Sequence, residues 1–247
     1  MNEPSTDTDL EWMDSVQHVI KAVSPKSIED ADKRAEDWTQ QEKNRSIQSA
    51  FRDLSSQLGT RYSWEAVKEI KAFTLKQQEA VDRVKRVAVK IADMVTSGRG
   101  VVFYGPVGTG KDHMQAHLLF RAVQAGLNSK WVSGQDLYGV LRDRMDQGRQ
   151  EEELLRDLAK PQILAISDPT PPTGELSSWR LEWLYRLTDR RYRQRRGTWM
   201  TINATNVNQM DSKLSAQVWD RVQEQAEVIP CFWESYRGRK PSDSQTI

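Results

Sequence analysis

The residue run best suited to chemistry directly follows an apolar run at 101–104. It consists of Gly105, Pro106, Val107, Gly108, Thr109, Gly110, Lys111 and Asp112. The spacing of its glycines and lysine is that of a phosphate-binding loop between a strand and a helix. Its glycines let backbone N–H groups converge on phosphate oxygens, and the helix adds a positive N-terminus. Since Lys111 supplies a charge for the outer phosphates, the run predicts binding of a nucleoside triphosphate, which we expect to be ATP.

Asp112 stands where such loops ordinarily carry a serine or threonine hydroxyl for Mg²⁺. A carboxylate is a hard oxygen ligand, so Asp112 is a candidate ligand of Mg²⁺, directly or through water. The alternative is an aspartate that only caps the start of the helix.

A second acid is expected at the end of a neighbouring strand. The apolar run 163–166 is followed by Ser167, Asp168 and Pro169. Sites that hydrolyse triphosphates combine a metal-binding acid with one that acts on water. Either Ser167 takes the metal position and Asp168 the catalytic one, or Asp168 binds the metal and Pro169 follows it. One acid is missing in both registers, so we expect slow hydrolysis or compensation by Asp112.

The elements that must position these residues alternate along the chain. Residues 64–95 have a helical pattern, and short apolar runs then alternate with helical stretches. The predicted strands are 100–104, 129–133, 162–167, 198–203 and 227–233; the helices between them begin near Lys111, Gln135, Glu151, Leu176 and Ser215. This order is typical of an α/β fold with a parallel sheet covered on both faces.

The N-terminal segment differs from the rest in composition and charge. It predicts polar helices, broken at Ser24-Pro25, with the second helix covering about 28–58. Residues 1–40 contain ten acids and four bases, a net charge of −6, whereas the whole chain carries +1. We therefore predict a helical, acidic partner-binding region at 1–60, a nucleotide-binding domain at 61–240 and a tail at 241–247.

Composition also bears on the cellular compartment of the protein. Hydrophobic residues make up 37% of the chain and charged residues 29%. No run approaches the ~20 apolar residues of a membrane span. The N-terminus does not have the layout of a secretory signal, and the chain has one cysteine. We expect a cytoplasmic protein without a membrane partner.

Residues 105–114, Gly-Pro-Val-Gly-Thr-Gly-Lys-Asp-His-Met, resemble the phosphate loop of DnaC-type helicase loaders and IstB-type transposition helpers, both AAA+ ATPases. Residues 189–192, 203–206, 218–221 and 233–237 continue this resemblance in the same order. It covers roughly 62–240 and implies a P-loop NTPase (AAA+-like) fold, with a parallel five-stranded sheet flanked by helices. It also implies that no C-terminal lid domain follows, since the chain stops ten residues after Arg237.

The resemblance further implies roles for single residues. Asn206 resembles the sensor-1 asparagine that orients the attacking water, and Asn203 is a competing candidate. Arg221 matches an arginine finger that reaches a neighbouring subunit's nucleotide; by its own surroundings in sequence it could instead pair with Asp220 or Glu224. Arg237 resembles the sensor-2 arginine. Asp168, Asn206, Arg221 and Arg237 are therefore the catalytic candidates.

Arginines and aromatic residues are concentrated between residues 179 and 196. The arginines are Arg180, Arg186, Arg190, Arg191, Arg193, Arg195 and Arg196, among Trp179, Trp183, Tyr185 and Tyr192. This mixture suits the backbone and stacked bases of single-stranded nucleic acid. A helical pattern would instead place Trp183, Leu184 and Leu187 in the core and leave arginines for subunit interfaces.

Three functions fit these features. The first is an ATP-dependent loader whose acidic head binds a replicative helicase while its body forms a homo-oligomer around ATP and DNA, which we expect to be single-stranded. The second is a transposition helper that recruits a transposase to DNA. The third is a nucleotide-binding regulator that scarcely hydrolyses ATP and acts by assembly alone.

Overall fold

The computed structural model describes residues 25–146, 151–171 and 175–237. The helix predicted before Ser24-Pro25 and the tail at 241–247 lie outside the described residues. The chain divides into two compact units, residues 1–46 and 47–247. Helix α1 (Pro25–Leu58) begins in the first unit and ends in the second.

The first unit is described only by the N-terminal part of α1. Pro25, which has no N–H, is tolerated at the first helical position, because an N–H there would have no acceptor within the helix. From residue 30 to 46 the side chains are exposed apart from the half-buried Glu42, and Trp38 is 65% exposed. Glu, Lys, Gln, Arg and Ala, all good helix formers, account for much of this segment.

The second unit begins with helices that pack against one face of a sheet. Leu54 and Leu58, at the end of α1, are buried in its core. Three shorter helices follow: α2 (Trp64–Val67), α3 (Leu75–Val89) and α4 (Ile91–Thr96). The prediction of one helix over 64–95 was therefore wrong. The buried Gln77 accepts the backbone N–H of Phe73 at 2.7 Å, and this bond starts a new helix after an irregular segment.

The sheet has five parallel strands in the order β2-β3-β4-β1-β5. They are β1 (Gly100–Gly105), β2 (Ser129–Ser133), β3 (Ile163–Ser167), β4 (Thr198–Asn203) and β5 (Ala226–Pro230). The predicted α/β class and five-stranded parallel sheet are confirmed. The last strand ends at Pro230 instead of residue 233, because its neighbour β1 turns away into the glycine-rich loop at Gly105.

Helices cover both faces of the sheet. They are α5 (Lys111–Gln124), α6 (Gly134–Asp146), α7 (Glu151–Ala159), α8 (Ser178–Arg193), α9 (Met210–Leu214) and α10 (Ala216–Glu224). In β1, Val101 and Phe103 belong to the core beneath α1 and α3–α5, whereas Val102 belongs to the core beneath α6–α10. A strand buried on both sides must be apolar at successive positions, which explains the apolar run before Gly105. Among the described helices, none is long and apolar enough to cross a membrane.

Strand register brings the chemically useful residues to one edge. Gly105 lies opposite Asn203, and Ser167 lies opposite Thr201. Because the strands are parallel, the residues that follow them meet at the carboxyl edge of the sheet, where ligands bind in open α/β folds.

Candidate nucleotide-binding site

A cavity of about 640 Å³ opens at this carboxyl edge. Its floor is the glycine-rich loop, with Asp168, Asn203 and Arg237 beside it. Tyr62 and Phe73, from the segment between α1 and α3, also line the cavity. The cavity therefore offers both charged groups and aromatic surface.

The backbone of the glycine-rich loop has a conformation that leaves several of its N–H groups available to a ligand. Gly108 and Gly110 have φ angles of 80° and 85°. This left-handed conformation favours glycine. In the described part of the chain, the N–H groups from Gly108 to Lys111 donate to no backbone carbonyl. Such N–H groups, converging at a helix N-terminus, form an anion site.

Residues 231–237, here called the C-terminal strap, contact this loop and contribute Trp233, Tyr236 and Arg237 to the cavity lining. The Trp233 indole Nε1 donates to the carbonyl of Thr109 at 3.0 Å, and the Tyr236 N–H donates to the carbonyl of Gly108 at 2.8 Å. The packing is close, since a Cβ on Gly108 would lie 2.0 Å from Ser235 Oγ. Trp233 belongs to the run 233–237 that carries the resemblance, but sequence reasoning gave it no role, because a sequence does not show which carbonyl an indole bonds.

Lys111 is the central cation and is only 5% exposed. Its Nζ donates to Pro106 O at 2.7 Å, Gly105 O at 3.1 Å and Asn203 Oδ1 at 2.9 Å. Burial lowers the pKa of Lys111, and the charge of Asp168 opposes that shift. The ammonium group is thus held within the loop by neutral acceptors that phosphate oxygens could replace.

Asp112 points at the sheet. Its Oδ1 accepts from Ser167 Oγ and from Thr201 Oγ1, both at 2.7 Å. Ser167 is the last residue of β3, so Asp112 and the end of that strand are joined directly. The other carboxylate oxygen, Oδ2, has no partner among the described residues. Thr201 was not a candidate from sequence, since a hydroxyl in a strand is common.

Asp168 follows β3 with a φ of 46°, a conformation uncommon for a residue with a side chain. Burial raises the pKa of Asp168, and the charge of Asp112 raises it further. Lys111 and a hydrogen bond from Asn203 Nδ2, at 2.8 Å, act in the opposite direction. Both carboxyl groups therefore lie close to the glycine-rich loop and to each other.

Asn203 joins the two charged groups of the site, since its Oδ1 accepts from Lys111 and its Nδ2 donates to Asp168. Asn206 is exposed and precedes a short 3-10 turn (Val207–Gln209). The structure therefore brings Asn203 to the cavity and leaves Asn206 outside its lining. The strand-end position of Asn203, opposite Gly105, is the signal that favours it.

The residues present are compatible with Mg²⁺. Among the described residues, no three acidic, histidine or cysteine side chains form a metal-binding group. Mg²⁺ bound with a nucleotide needs only one or two carboxylates, since phosphates and water complete its shell. Asp112 and Asp168 supply that number beside the loop.

The two candidate arginines differ in position. Arg237 is exposed and lines the cavity. Arg221 does not line it; its Nε donates to Asp189 Oδ1 at 3.1 Å and one Nη to the Tyr185 hydroxyl at 3.1 Å. The ion-pair partner is therefore Asp189, on α8, and not Asp220 or Glu224.

Most arginines of the 179–196 segment are used inside the unit. Arg186 and Arg190 pair with acids at the start of α7. Arg191 is fully buried and donates to Thr198 Oγ1 and to five backbone carbonyls. Burial lowers its pKa to about 9, with a smaller effect from Arg196. As the helical pattern predicted, Trp183, Leu184 and Leu187 are buried.

Comparisons with known proteins agree with this geometry. A family model described as "IstB-like ATP binding protein" matches residues 28–244. The replicative helicase loader DnaC of Escherichia coli (strain K12) is 29% identical over 140 residues, 56% of each chain. A putative ATP-binding protein of insertion sequence IS5376 from Geobacillus stearothermophilus is 26% identical over 182 residues, 70% of this chain and 69% of that one. The match to DnaC thus spans little more than half of that relative's length.

Solved structures share the fold. The crystal structure of the DnaC helicase loader matches with a TM-score of 0.62 at 21% identity, over 70% of this chain and 99% of that chain. The replication initiator DnaA, solved with AMPPCP and single-stranded DNA, matches with a TM-score of 0.55 at 16% identity, over 72% of this chain and 51% of that chain. The expected AAA+-like fold and the DnaC/IstB resemblance are confirmed. This chain belongs to the family of IstB-like ATP binding proteins.

Proposed function

We propose that this chain binds ATP with Mg²⁺ in the 640 Å³ cavity and acts as an ATP-dependent loader of a replicative helicase. The observation that carries the nucleotide part is the loop around the buried Lys111, whose N–H groups from Gly108 to Lys111 have no carbonyl partner among the described residues. A phosphate chain on this loop would replace the carbonyls that accept from Lys111. The rings of Tyr62 and Phe73, which line the cavity, offer apolar surface for a base.

Mg²⁺ would be held by the free oxygen of Asp112 and by Asp168, together with phosphate oxygens. Its chemistry would be to neutralise charge on the outer phosphates. Ser167 and Thr201 fix the orientation of Asp112, and Asn203 fixes that of Asp168. Because Pro169 follows Asp168 where a second acid would stand, we expect tight binding and slow hydrolysis.

Arg237 would reach the outer phosphates from the strap, since it lines the same cavity. Arg221 would act in a homo-oligomer, on the nucleotide of a neighbouring subunit, and its Asp189 contact would have to open first. The acidic head would bind the helicase. We place that module at residues 1–46, because Leu54 and Leu58 belong to the core of the second unit.

Nucleotide binding is tested by titrating purified protein with ATP, with and without Mg²⁺. Lys111→Ala should lose at least tenfold in affinity, since charged hydrogen bonds contribute about 1.5–3 kcal/mol. Lys85→Ala, which removes an exposed lysine of α3, is the matched control. Equal affinities for the two variants would refute the proposed site.

The metal ligand is tested in the same titration. Asp112→Ala should weaken binding with Mg²⁺ much more than binding in EDTA, and Asp112→Thr should restore part of the loss. An equal loss in both conditions would leave Asp112 only a structural role with Ser167 and Thr201.

A transposition helper is the second candidate, because the insertion-sequence relative aligns over a larger share of both chains than DnaC does. The full chain should co-purify with the replicative helicase of its own host if it is a loader. Co-purification with a transposase instead would select the helper. Retention of neither, with ATP-dependent assembly, would select the nucleotide-binding regulator.

A further inference from the structure

Two side chains of the nucleotide site stand in positions opposite to the ordinary arrangement. Sites built on such a loop bind Mg²⁺ with a serine or threonine hydroxyl after the loop lysine and with an aspartate at the end of a neighbouring strand. This chain has Asp112 after Lys111, and its strand β3 ends with Ser167. A hydroxyl and a carboxylate are therefore both present, but each stands in the place of the other.

The two groups contact each other directly. Ser167 Oγ donates to Asp112 Oδ1 at 2.7 Å. Asp168, the residue after the strand, has a φ of 46° and its carboxyl group bonds Asn203 instead. Ser167 is thus the strand-end residue that is paired with position 112.

Thr201 joins this pair from β4, the strand next to β3. Its Oγ1 donates to the same Asp112 oxygen at 2.7 Å and lies 3.3 Å from Ser167 Oγ. Thr201 is fully buried, and Asp112 is half-buried. Hydrogen bonds from hydroxyls to an ionised carboxylate are short and strong. Two of them hold Asp112 Oδ1 in place and leave Oδ2 for a ligand.

Helix capping does not account for Asp112. The N-cap of α5 is Gly110, and a capping carboxylate would accept from the first backbone N–H groups of the helix. In the described part of the chain, the Asp112 carboxylate accepts from Ser167 and Thr201 and from no backbone N–H. Both donors belong to the sheet, so the strand ends orient this carboxylate.

We propose that Asp112 and Ser167 have exchanged their roles in binding Mg²⁺ with the nucleotide. The helix supplies the carboxylate, and the strand supplies the hydroxyl that fixes it. The inference deepens the proposed function and rests on its Mg²⁺–ATP binding. The same hydrogen bond would form in the reverse direction with threonine at 112 and aspartate at 167, and Thr201 lies next to both positions. The site therefore needs one hydroxyl and one carboxylate at this pair, in either order.

The test compares calorimetric titrations with a non-hydrolysable ATP analogue, in Mg²⁺ and in EDTA. Asp112→Thr leaves two hydroxyls and no carboxylate at the pair. Its affinity in Mg²⁺ should fall at least about tenfold, as is common when a group that holds a metal is lost, whereas its affinity in EDTA should not fall. Adding Ser167→Asp to this variant, which gives the exchanged chain, should return the affinity in Mg²⁺ to within about threefold of the unaltered chain, because the two positions are coupled.

Ser167→Asp alone gives a second readout that needs no nucleotide. It brings two carboxylates together where one is held, and such like charges oppose each other's ionisation. The nucleotide-free variant should therefore unfold at a lower urea concentration than the unaltered chain, and Asp112→Thr should reverse that loss.

Asp112→Thr combined with Ser133→Asp is the matched control. Ser133 ends β2, the strand on the other side of β3, and its hydroxyl bonds Asp136 and not Asp112. This control has the same net charge as the exchanged chain, but its new carboxylate lies away from position 112. It should bind in Mg²⁺ no better than Asp112→Thr alone.

Several results would overturn the exchange and leave the nucleotide site standing. If Asp112→Thr alone binds in Mg²⁺ as tightly as the unaltered chain, Asp168 is the strand acid and position 112 needs only a hydroxyl. If the exchanged chain does not fold or binds no better than Asp112→Thr, or if the Ser133→Asp control recovers equally, the two positions are not interchangeable.

Failure of the proposed function gives a different pattern. If the unaltered chain binds the analogue equally in Mg²⁺ and in EDTA, the metal part of that function fails and the exchange fails with it. Equal affinities of Lys111→Ala and its control would remove the nucleotide site as a whole. If Ser167→Asp alone does not fold, the exchanged chain and the Ser133→Asp control still decide between the two outcomes.

Discussion

Trp233 offers the sharpest test of how the C-terminal strap shapes the nucleotide site. Trp233→Phe keeps an aromatic ring but removes the Nε1–H that donates to Thr109 O at 3.0 Å. Thr109 is fully buried, so its carbonyl would lose its partner inside the loop. Leaving such a carbonyl unsatisfied costs about 1–3 kcal/mol.

The freed loop is expected to move toward water and to return only when ATP binds. The free-energy cost then weakens ATP binding, because only those molecules whose loop is in its binding shape can bind ATP. A cost of about 1–3 kcal/mol corresponds to a ~5- to ~150-fold weaker affinity. We expect the lower end of this range, since the Tyr236 N–H still holds Gly108 O.

Trp183→Phe is the control, because the Trp183 indole is buried and its Nε1 has no partner among the described residues. Calorimetric titration with ATP and urea unfolding of both variants separate affinity from stability. If Trp233→Phe binds ATP as tightly as Trp183→Phe does, the strap does not hold the loop in its binding shape and the argument fails.

Three other outcomes follow from contacts of the second unit. Since burial and Asp112 raise the pKa of Asp168, its carboxylate takes up a proton at a higher pH than an ordinary aspartate. Mg²⁺-dependent ATP affinity should therefore fall as the pH drops toward that raised pKa, and Asp168→Asn should flatten the profile; identical profiles would exclude Asp168 as a ligand. Arg191→Met should lower the free energy of unfolding in urea by about 3–5 kcal/mol, as expected when a buried charged network is broken, and a loss below about 1 kcal/mol would contradict this. Arg221→Ala should keep the ATP affinity of the isolated subunit and abolish ATP-dependent assembly in sizing experiments; normal assembly would make it only a partner of Asp189.

Local patterns in the sequence were enough to predict the glycine-rich loop and the strands. The residues of the loop are contiguous in the sequence, so its motif can be recognised directly. A buried parallel strand is apolar at successive positions, as in 101–104. The separate start of α3 at Leu75 was missed because it involves one hydrogen bond from the Phe73 N–H to the side chain of the buried Gln77. A helical pattern of apolar residues does not reveal such a bond.

The rest of the site depends on contacts between distant residues. Asp112 is held by Ser167 and Thr201, which are 55 and 89 residues away in the chain. Arg221 has a carboxylate partner, but it is Asp189, 32 residues earlier, and not a neighbour in its own helix. Hydroxyls and acids are too common for sequence alone to select these partners.

The position of β1 in the sheet has a consequence for the order of folding. Its two neighbours come late in the chain: Val102 pairs with Met200 and Gly100 with Ala226, so that most of the second unit lies between the paired strands. Contacts across such distances form slowly, because the entropy of closing the long loop must be overcome first. During synthesis the glycine-rich loop therefore leaves the ribosome long before β5 and the strap that brace it. ATP, which would bind only the completed arrangement, would then stabilise the last step of folding by mass action.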